Sequence, residues 1–95
     1  TGGGLVDNIP RVIPGEFSVE IDTTSWKKIP IFNFLQNNLD INTKDLYQTF
    51  NMGIGLVLIV DESKKEKLIS FIGRDNCNSI GVVVNDKDNM VHLYG

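Results

Sequence analysis

Three consecutive glycines, Gly2, Gly3 and Gly4, are the first residues of the chain with a distinctive chemical capability. Because glycine has no side chain, consecutive backbone N–H groups can turn toward one anion without obstruction. No Gly-Lys-Ser/Thr follows at P-loop spacing, and no strand precedes the triplet as in a dinucleotide-binding fingerprint. The triplet therefore has two interpretations, a cradle for a phosphate or a substrate backbone, and a flexible linker.

A second glycine-containing turn, NMGIG at residues 51–55, lies between a predicted helix and an apolar run. Ligands in sheet proteins commonly bind at such an edge, which makes Asn51, Gly53 and Gly55 candidates for a binding turn. The alternative is structural: Gly53 in the left-handed conformation would end the preceding helix, which is a common use of glycine.

Arg11 is the one cation of the opening segment, and Pro10 and Pro14 restrict the backbone around it. Its guanidinium can clamp a phosphate with two parallel hydrogen bonds, with Asn8 as nearby polar support. A plain surface arginine is the alternative. The acidic residues of this region are dispersed, so we predict no catalytic residue in this chain by itself.

Cys77 and His92 are the only cysteine and the only histidine. With only one of each, the chain can form neither an internal disulfide nor a structural zinc site. We therefore predict no metal ligands here. The neighbours of Cys77 are asparagines, which supply neither a base nor a positive charge to activate a thiolate. His92 stands in an alternating MVHLYG pattern and is predicted to be a strand side chain.

Composition narrows the class of protein further. The chain has 95 residues and a net charge of −3, without a basic face for nucleic acid or an apolar run long enough to cross a membrane. One cysteine and no signal peptide favour a cytoplasmic location. Because the chain lacks an initiator methionine, we expect one domain, residues 1–95, of a longer protein.

Hydrophobic periodicity predicts an α+β domain, a layered structure with a mixed sheet. The order is a strand at Phe17–Asp22, a helix from Pro30 to about Leu39, a helix at about Thr43–Phe50, a strand at Leu56–Val60, a helix capped by Ser63 or Asp61 and closed by Gly73, and two final strands joined as a hairpin by NDKDN.

Particular side chains are expected to hold these elements. Asn42 and Asp45 form a reciprocal cap for the second helix, and the apolar run Leu56–Val60 should be covered on both faces. The predicted buried stripes are Ile31, Phe34, Leu35 and Leu39 in the first helix, and Leu68, Phe71 and Ile72 in the third.

Four separated motifs, TGGGLVDNIPRVIP, SWKKIPIFNFLQ, LYQTFNMGIGLVLIV and SIGVV, occur together in residues 1–84. In this order and spacing they resemble the C-terminal domain of the phosphoribosylformylglycinamidine cyclo-ligases, also called aminoimidazole ribonucleotide (AIR) synthetases. The resemblance implies a layered, partly ferredoxin-like domain, with an ATP-handling N-terminal domain upstream.

The resemblance also implies a reaction of purine biosynthesis. ATP phosphorylates the formyl amide oxygen of formylglycinamidine ribonucleotide, and ring closure yields aminoimidazole ribonucleotide, ADP and phosphate, with Mg²⁺ assisting. ATP and Mg²⁺ would be bound mainly by the N-terminal domain, and the parent enzyme would be a cytoplasmic homodimer. This chain, inactive alone, would form one wall of the cleft.

The motif matches assign substrate-binding roles to particular residues. The implied cradle and its polar support are Gly2, Gly3, Gly4, Asn8 and Arg11, and the implied opposing turn is Asn51, Gly53 and Gly55. Two alternatives stay open. One is the same domain in a formylglycinamidine synthetase, selenophosphate synthetase or thiamine phosphate kinase, and the other is a non-catalytic interaction domain.

Overall fold

The computed structural model describes residues 2–95 as a sheet with helices packed on one face. In chain order the elements are α1 (Gly4–Asn8) with a 3-10 turn (Ile9–Arg11), β1 (Phe17–Asp22), α2 (Pro30–Asn38), α3 (Thr43–Thr49), a 3-10 turn (Glu62–Lys64) that leads into α4 (Lys65–Ile72), β2 (Gly81–Asn85) and β3 (Val91–Tyr94). The predicted α+β class is confirmed. In residues 2–95 no helix is both long and apolar enough to cross a membrane.

The sheet has the order β2-β1-β3, with β1 antiparallel to β2 and parallel to β3. The predicted mixed sheet and the bounds of β1 are confirmed, but the predicted hairpin of the last two strands is wrong. Their connection crosses the N-terminal end of β1 and is anchored there: Asp86 N donates to Glu16 O (3.2 Å), and Met90 N donates to Ser18 Oγ (3.0 Å). These bonds to β1 replace those of a hairpin.

The core lies on the face of the sheet that carries Val19 and Ile21. Alternation in β1 places these two side chains together, as the sequence predicts, with Glu20 exposed on the opposite face. α1 and α3 pack against the buried face, and Tyr47 of α3 is 1% exposed. The Trp26 ring meets the Tyr47 ring edge-on at a centroid distance of 6.3 Å.

The start of α3 is the local prediction that the structure matches in most detail. Asn42 Oδ1 accepts a hydrogen bond from Asp45 N (2.8 Å), and Asn42 Nδ2 donates to Asp45 Oδ2 (2.9 Å). The predicted cap is therefore confirmed, with the aspartate accepting from the side-chain amide of Asn42. Such caps contribute about 1 kcal/mol.

The apolar stripe predicted for α2 is wrong, although the helix begins at Pro30 as expected. Ile31 is 52% exposed and Phe34 is 60% exposed. The ring of Phe32 instead lies against the ring of Phe50, with 6.4 Å between centroids. Of the other two predicted residues, Leu39 is exposed and Leu35 is half-buried.

The predicted strand at Leu56–Val60 is also wrong, because the segment is joined to no strand of the sheet. The prediction that both its faces are covered fails as well, since Leu56 is 77% exposed and Leu58 is 51% exposed. Both edges of β1 are taken by β2 and β3, so the segment cannot pair with the central strand.

The helix that follows begins at one of the two predicted caps. Asp61 Oδ1 accepts from Ser63 N (3.1 Å), so Asp61 caps the 3-10 turn that leads into α4, and Ser63 is not the cap. The predicted buried stripe is only partly correct, because Phe71 is 89% exposed and Ile69 is buried instead. Gly73, at φ 100°, ends α4 as predicted.

Candidate functional site

The glycine triplet forms the entry to α1, a helix that the sequence does not predict. Gly3 (φ 95°) and Gly4 (φ 55°) both adopt left-handed backbone conformations, and Asp7 N donates to Gly3 O (3.1 Å) to close the first turn. Only glycine adopts two such conformations in succession without strain. Two of the three glycines are therefore required by backbone geometry.

Asn8 holds the shape of this segment. Its Nδ2 donates to Gly2 O (3.0 Å) and to Gly4 O (2.8 Å), and its Oδ1 accepts from the guanidinium of Arg11 (3.2 Å). Its amide group is thus engaged within the protein at both ends. The structure brings Asn8, Arg11 and the triplet together, and Asn8 links the other two.

Gly4 also fulfils a packing requirement. A Cβ at this position would lie 2.1 Å from Tyr47 O and 2.8 Å from Phe50 O. Glycine here allows α1 to lie directly against the backbone of α3 and of the residue that follows it. Since Phe50 immediately precedes Asn51, the same contact places the triplet next to the second glycine-containing turn.

Asp7 lies at the triplet as well, and sequence reasoning missed it as a site residue. A Cβ on Gly3 would be 2.8 Å from Asp7 Oδ2, and Asp7 Oδ1 accepts from Gln48 Nε2 (3.0 Å). Because the sequence does not predict α1, it offers no signal that places Asp7 in the first turn of a helix beside the triplet. Its charge opposes an incoming anion, whereas the exposed Arg11 favours one.

The second turn is organised around an inward-pointing methionine. Met52 is 0% exposed with φ 53°, and its carbonyl oxygen accepts from Trp26 Nε1 (3.0 Å). Asn51 Oδ1 accepts from Gly53 N (2.8 Å), which closes the turn. Gly53 has the positive φ (93°) that the structural alternative predicts, but α3 ends at Thr49, so the prediction that Gly53 ends that helix is wrong.

Gly53 and Gly55 differ in whether the backbone conformation requires glycine. Gly53 has φ 93°, so a side chain there would strain the backbone. Gly55 has no positive φ, and no heavy atom lies within 4 Å of the point that a Cβ would occupy. Gly55 is therefore free of any packing reason to be glycine, which leaves room for a ligand to approach its backbone.

A comparison with protein families identifies the family of the chain. The family model described as AIR synthase related protein, C-terminal domain, matches residues 1–93. The chain belongs to this family.

Three curated relatives of this AIR synthase related domain carry the name phosphoribosylformylglycinamidine cyclo-ligase. The protein of Nitrosococcus oceani is 47% identical over 72 residues, which are 76% of this chain and 20% of the relative. That of Ligilactobacillus salivarius is 40% identical over 95 residues (100% and 24%), and that of Staphylococcus aureus strain JH9 is 38% identical over 97 residues (100% and 28%). The chain thus spans about a quarter of the length of these relatives.

Outside the two glycine segments, His92 Nε2 and Asp86 Oδ2 of the AIR synthase related domain lie 2.6 Å apart. The N–H of Asp88 and then the His92 ring hold the pKa of Asp86 below its ordinary value. This pair fastens the loop that crosses β1. Within residues 2–95 no three His, Cys, Asp or Glu side chains converge as metal ligands.

Proposed function

We propose that this chain is the C-terminal domain of an ATP-dependent cyclo-ligase that converts formylglycinamidine ribonucleotide to aminoimidazole ribonucleotide in de novo purine biosynthesis. The family match over residues 1–93 and the relatives named as cyclo-ligases support the assignment. The observation that carries the role of this chain is the pair of glycine segments, which meet where Gly4 lies against Phe50.

In the proposed reaction, the formyl amide oxygen of the substrate attacks the γ-phosphorus of ATP and ADP leaves. The amidine nitrogen then attacks the activated carbon, the carbon–oxygen bond breaks and phosphate departs with that oxygen. Negative charge develops on the transferred phosphoryl group and on the leaving oxygen. Fixed N–H dipoles and an arginine are groups that stabilise such charge.

Within this scheme, Gly2, Gly3 and Gly4 present backbone N–H groups to an anionic part of the substrate, and Arg11 adds a guanidinium fork. Asn8 keeps the triplet in shape through its bonds to Gly2 O and Gly4 O. Asn51, Gly53 and Gly55 form the opposing turn. Arg11 offsets the repulsion that Asp7 exerts on the bound anion.

The remaining machinery is proposed to lie in the N-terminal domain of the same chain. Mg²⁺ prefers several carboxylate and other oxygen ligands, and the acidic side chains of residues 2–95 do not converge in this way. We therefore assign no step to Mg²⁺ here and place ATP and Mg²⁺ mainly on the N-terminal domain. The parent enzyme is proposed to be a cytoplasmic homodimer, and this chain to be inactive alone.

The experiment measures ADP release by the full-length parent with and without formylglycinamidine ribonucleotide. We expect release that depends on this substrate, a fall in kcat/KM of at least about tenfold in Arg11→Ala, and no release by the 95-residue chain alone. Arg74→Ala is the matched control, because Arg74 is an exposed arginine paired with Glu66 on α4.

Two results would contradict the proposal. ADP release that does not depend on formylglycinamidine ribonucleotide would indicate that the parent is instead a related ligase or kinase. Turnover by the 95-residue chain at the parent's rate would refute the division of labour between the domains.

A further inference from the structure

Met52 has a backbone conformation that its own side chain disfavours. Its φ is 53°, and among residues 2–95 only Met52 and Asn89 combine a positive φ with a side chain. Asparagine adopts this left-handed region readily, whereas a long apolar side chain such as that of methionine is uncommon there. The surrounding structure must therefore hold Met52 in place.

The conformation of Met52 gives the second glycine-containing turn its shape. Ile54 N donates to Asn51 O (3.0 Å), and the two central residues of this four-residue turn, Met52 and Gly53, have φ values of 53° and 93°. Two positive φ values are those of a type I′ turn, in which asparagine, aspartate or glycine is normally the first central residue. If Met52 changed to a negative φ, the turn would change type, and the backbone of Gly53 and Gly55 would face another direction.

Two contacts hold Met52 in this conformation. Its side chain is 0% exposed within the core, and its carbonyl oxygen accepts a hydrogen bond from Trp26 Nε1 (3.0 Å). A buried indole N–H normally has a partner, because leaving it unpaired costs more free energy than the bond contributes. The bond therefore ties the position of Met52 O to that of the Trp26 ring.

The Trp26 ring is itself fixed from other sides. It is 7% exposed, it meets the Tyr47 ring edge-on, and the ammonium of Lys28 lies 5.5 Å from its centroid. The carbonyl oxygen of Tyr47 lies against Gly4. One pair of aromatic residues, Trp26 and Tyr47, therefore connects the two glycine segments.

We propose that Trp26 is a positioning residue of the substrate site. Its indole N–H fixes Met52 O, which holds the Asn51–Ile54 turn in its type I′ form and sets that turn against the glycine triplet. The inference rests on the proposed function, because that function assigns the turn to the substrate. Since Trp26 is buried, it acts through Met52. ATP is proposed to lie mainly on the N-terminal domain, so loss of the Trp26 bond weakens the binding of formylglycinamidine ribonucleotide and leaves that of ATP unchanged.

Steady-state ADP release by the full-length parent tests the inference with Trp26→Phe, which keeps an aromatic ring and removes the N–H. We expect KM for formylglycinamidine ribonucleotide to rise at least about fivefold and KM for ATP to change less than about twofold. Thr23→Val is the matched control. It removes one hydrogen bond from a buried residue to a backbone carbonyl, Thr23 Oγ1 to Tyr94 O (3.1 Å), and should change neither KM by more than about twofold.

A second replacement keeps the test decisive if the smaller phenylalanine ring disturbs the core. The benzothiophene analogue of tryptophan at position 26 keeps the bicyclic shape and has sulfur in place of the N–H. We expect the same difference between the two KM values. Equal rises of both KM values would indicate a general structural effect and would overturn the inference, as would an unchanged KM for formylglycinamidine ribonucleotide.

NMR of the 95-residue chain tests the structural step separately from the reaction. Trp26 is the only tryptophan, so its indole N–H gives a single identifiable signal. We expect this proton to exchange with solvent at least about tenfold more slowly than that of free tryptophan, and Trp26→Phe to shift the amide signals of Gly53 and Gly55. Fast exchange of the indole proton, or unchanged glycine signals, would overturn the inference.

Failure of the proposed function gives a different result. In that case ADP release by the unaltered parent does not depend on formylglycinamidine ribonucleotide, which refutes the assignment of the turn to this substrate. The indole and glycine signals still decide whether Trp26 holds the turn.

Discussion

Gly4 and Tyr47 are so close that a Cβ on Gly4 would lie 2.1 Å from the carbonyl oxygen of Tyr47. This approach joins the opening glycines to α3 and sets the position of α1. Because Tyr47 is 1% exposed, its backbone cannot move aside without disturbing the core.

Gly4→Ala is expected to lower the free energy of unfolding by more than about 3 kcal/mol, since it combines this overlap with a left-handed φ of 55°. Gly2→Ala is the control, because nothing lies within 4 Å of a Cβ there. Urea unfolding of both variants measures the difference. Equal stability of the two would contradict the close packing of α1 on α3.

Asn8→Ala is expected to lower the free energy of unfolding by about 1 kcal/mol, because the carbonyls of Gly2 and Gly4 lose a partly exposed partner. Asn33→Ala, at an exposed position of α2, is the control and should change stability little. In the parent enzyme we also expect Asn8→Ala to raise KM for formylglycinamidine ribonucleotide. An unchanged KM would mean that the shape of the triplet does not matter for binding.

Gly55→Ala separates structure from function. The free energy of unfolding should change by less than about 0.5 kcal/mol, since Gly55 has open space around it. If a ligand approaches this backbone, the added methyl group should lower kcat/KM of the parent by about tenfold. A variant that is both stable and fully active would remove Gly55 from the site.

The Asp86 carboxylate should make stability depend on acid pH. Its folded pKa is depressed below 3.8, first by the N–H of Asp88 and then by His92. A depressed pKa means that the charged form is favoured by folding, so this stabilisation is present above the unfolded pKa and is lost as the pH falls through the folded pKa.

As the pH falls below about 4, the free energy of unfolding of Asp86→Asn should therefore decrease less than that of the unaltered protein. Asp22, whose pKa is also lowered, chiefly by the Thr24 hydroxyl, stays in place and keeps its own acid dependence. Asp40→Asn, at an exposed position after α2, is the matched control. Chemical denaturation as a function of pH checks this, and an unchanged acid dependence in Asp86→Asn would contradict it.

Features that depend on near neighbours in the chain were predictable from the sequence. Alternation in Phe17–Asp22 marks β1, and the Asn42 and Asp45 pair marks the start of α3. Pro30 and Gly73 mark the beginning of α2 and the end of α4. Each depends on backbone dihedral preferences or on hydrogen bonds across a few residues, and these are local properties.

The candidate site was predictable as residue types but not as an arrangement. The glycines, Asn8 and Arg11 are conspicuous in the sequence because their backbone freedom and polar groups are local properties. That Asn8 holds the triplet through Gly2 O and Gly4 O follows from a short helix that the sequence did not predict. Gln48, which donates a hydrogen bond to Asp7, lies in α3. Its role could not be predicted, because it depends on the packing of α1 against α3.

What only the tertiary structure decided is the pairing of distant segments. The sequence by itself determined the strand β1, the cap of α3 and the class of the domain. It did not determine that β2 and β3 take opposite edges of β1, that Phe32 turns α2 toward Phe50, or that Leu56–Val60 lies outside the sheet. Local pattern specifies which residues can be buried, but competition among distant partners for the same edge and the same core decides which of them are.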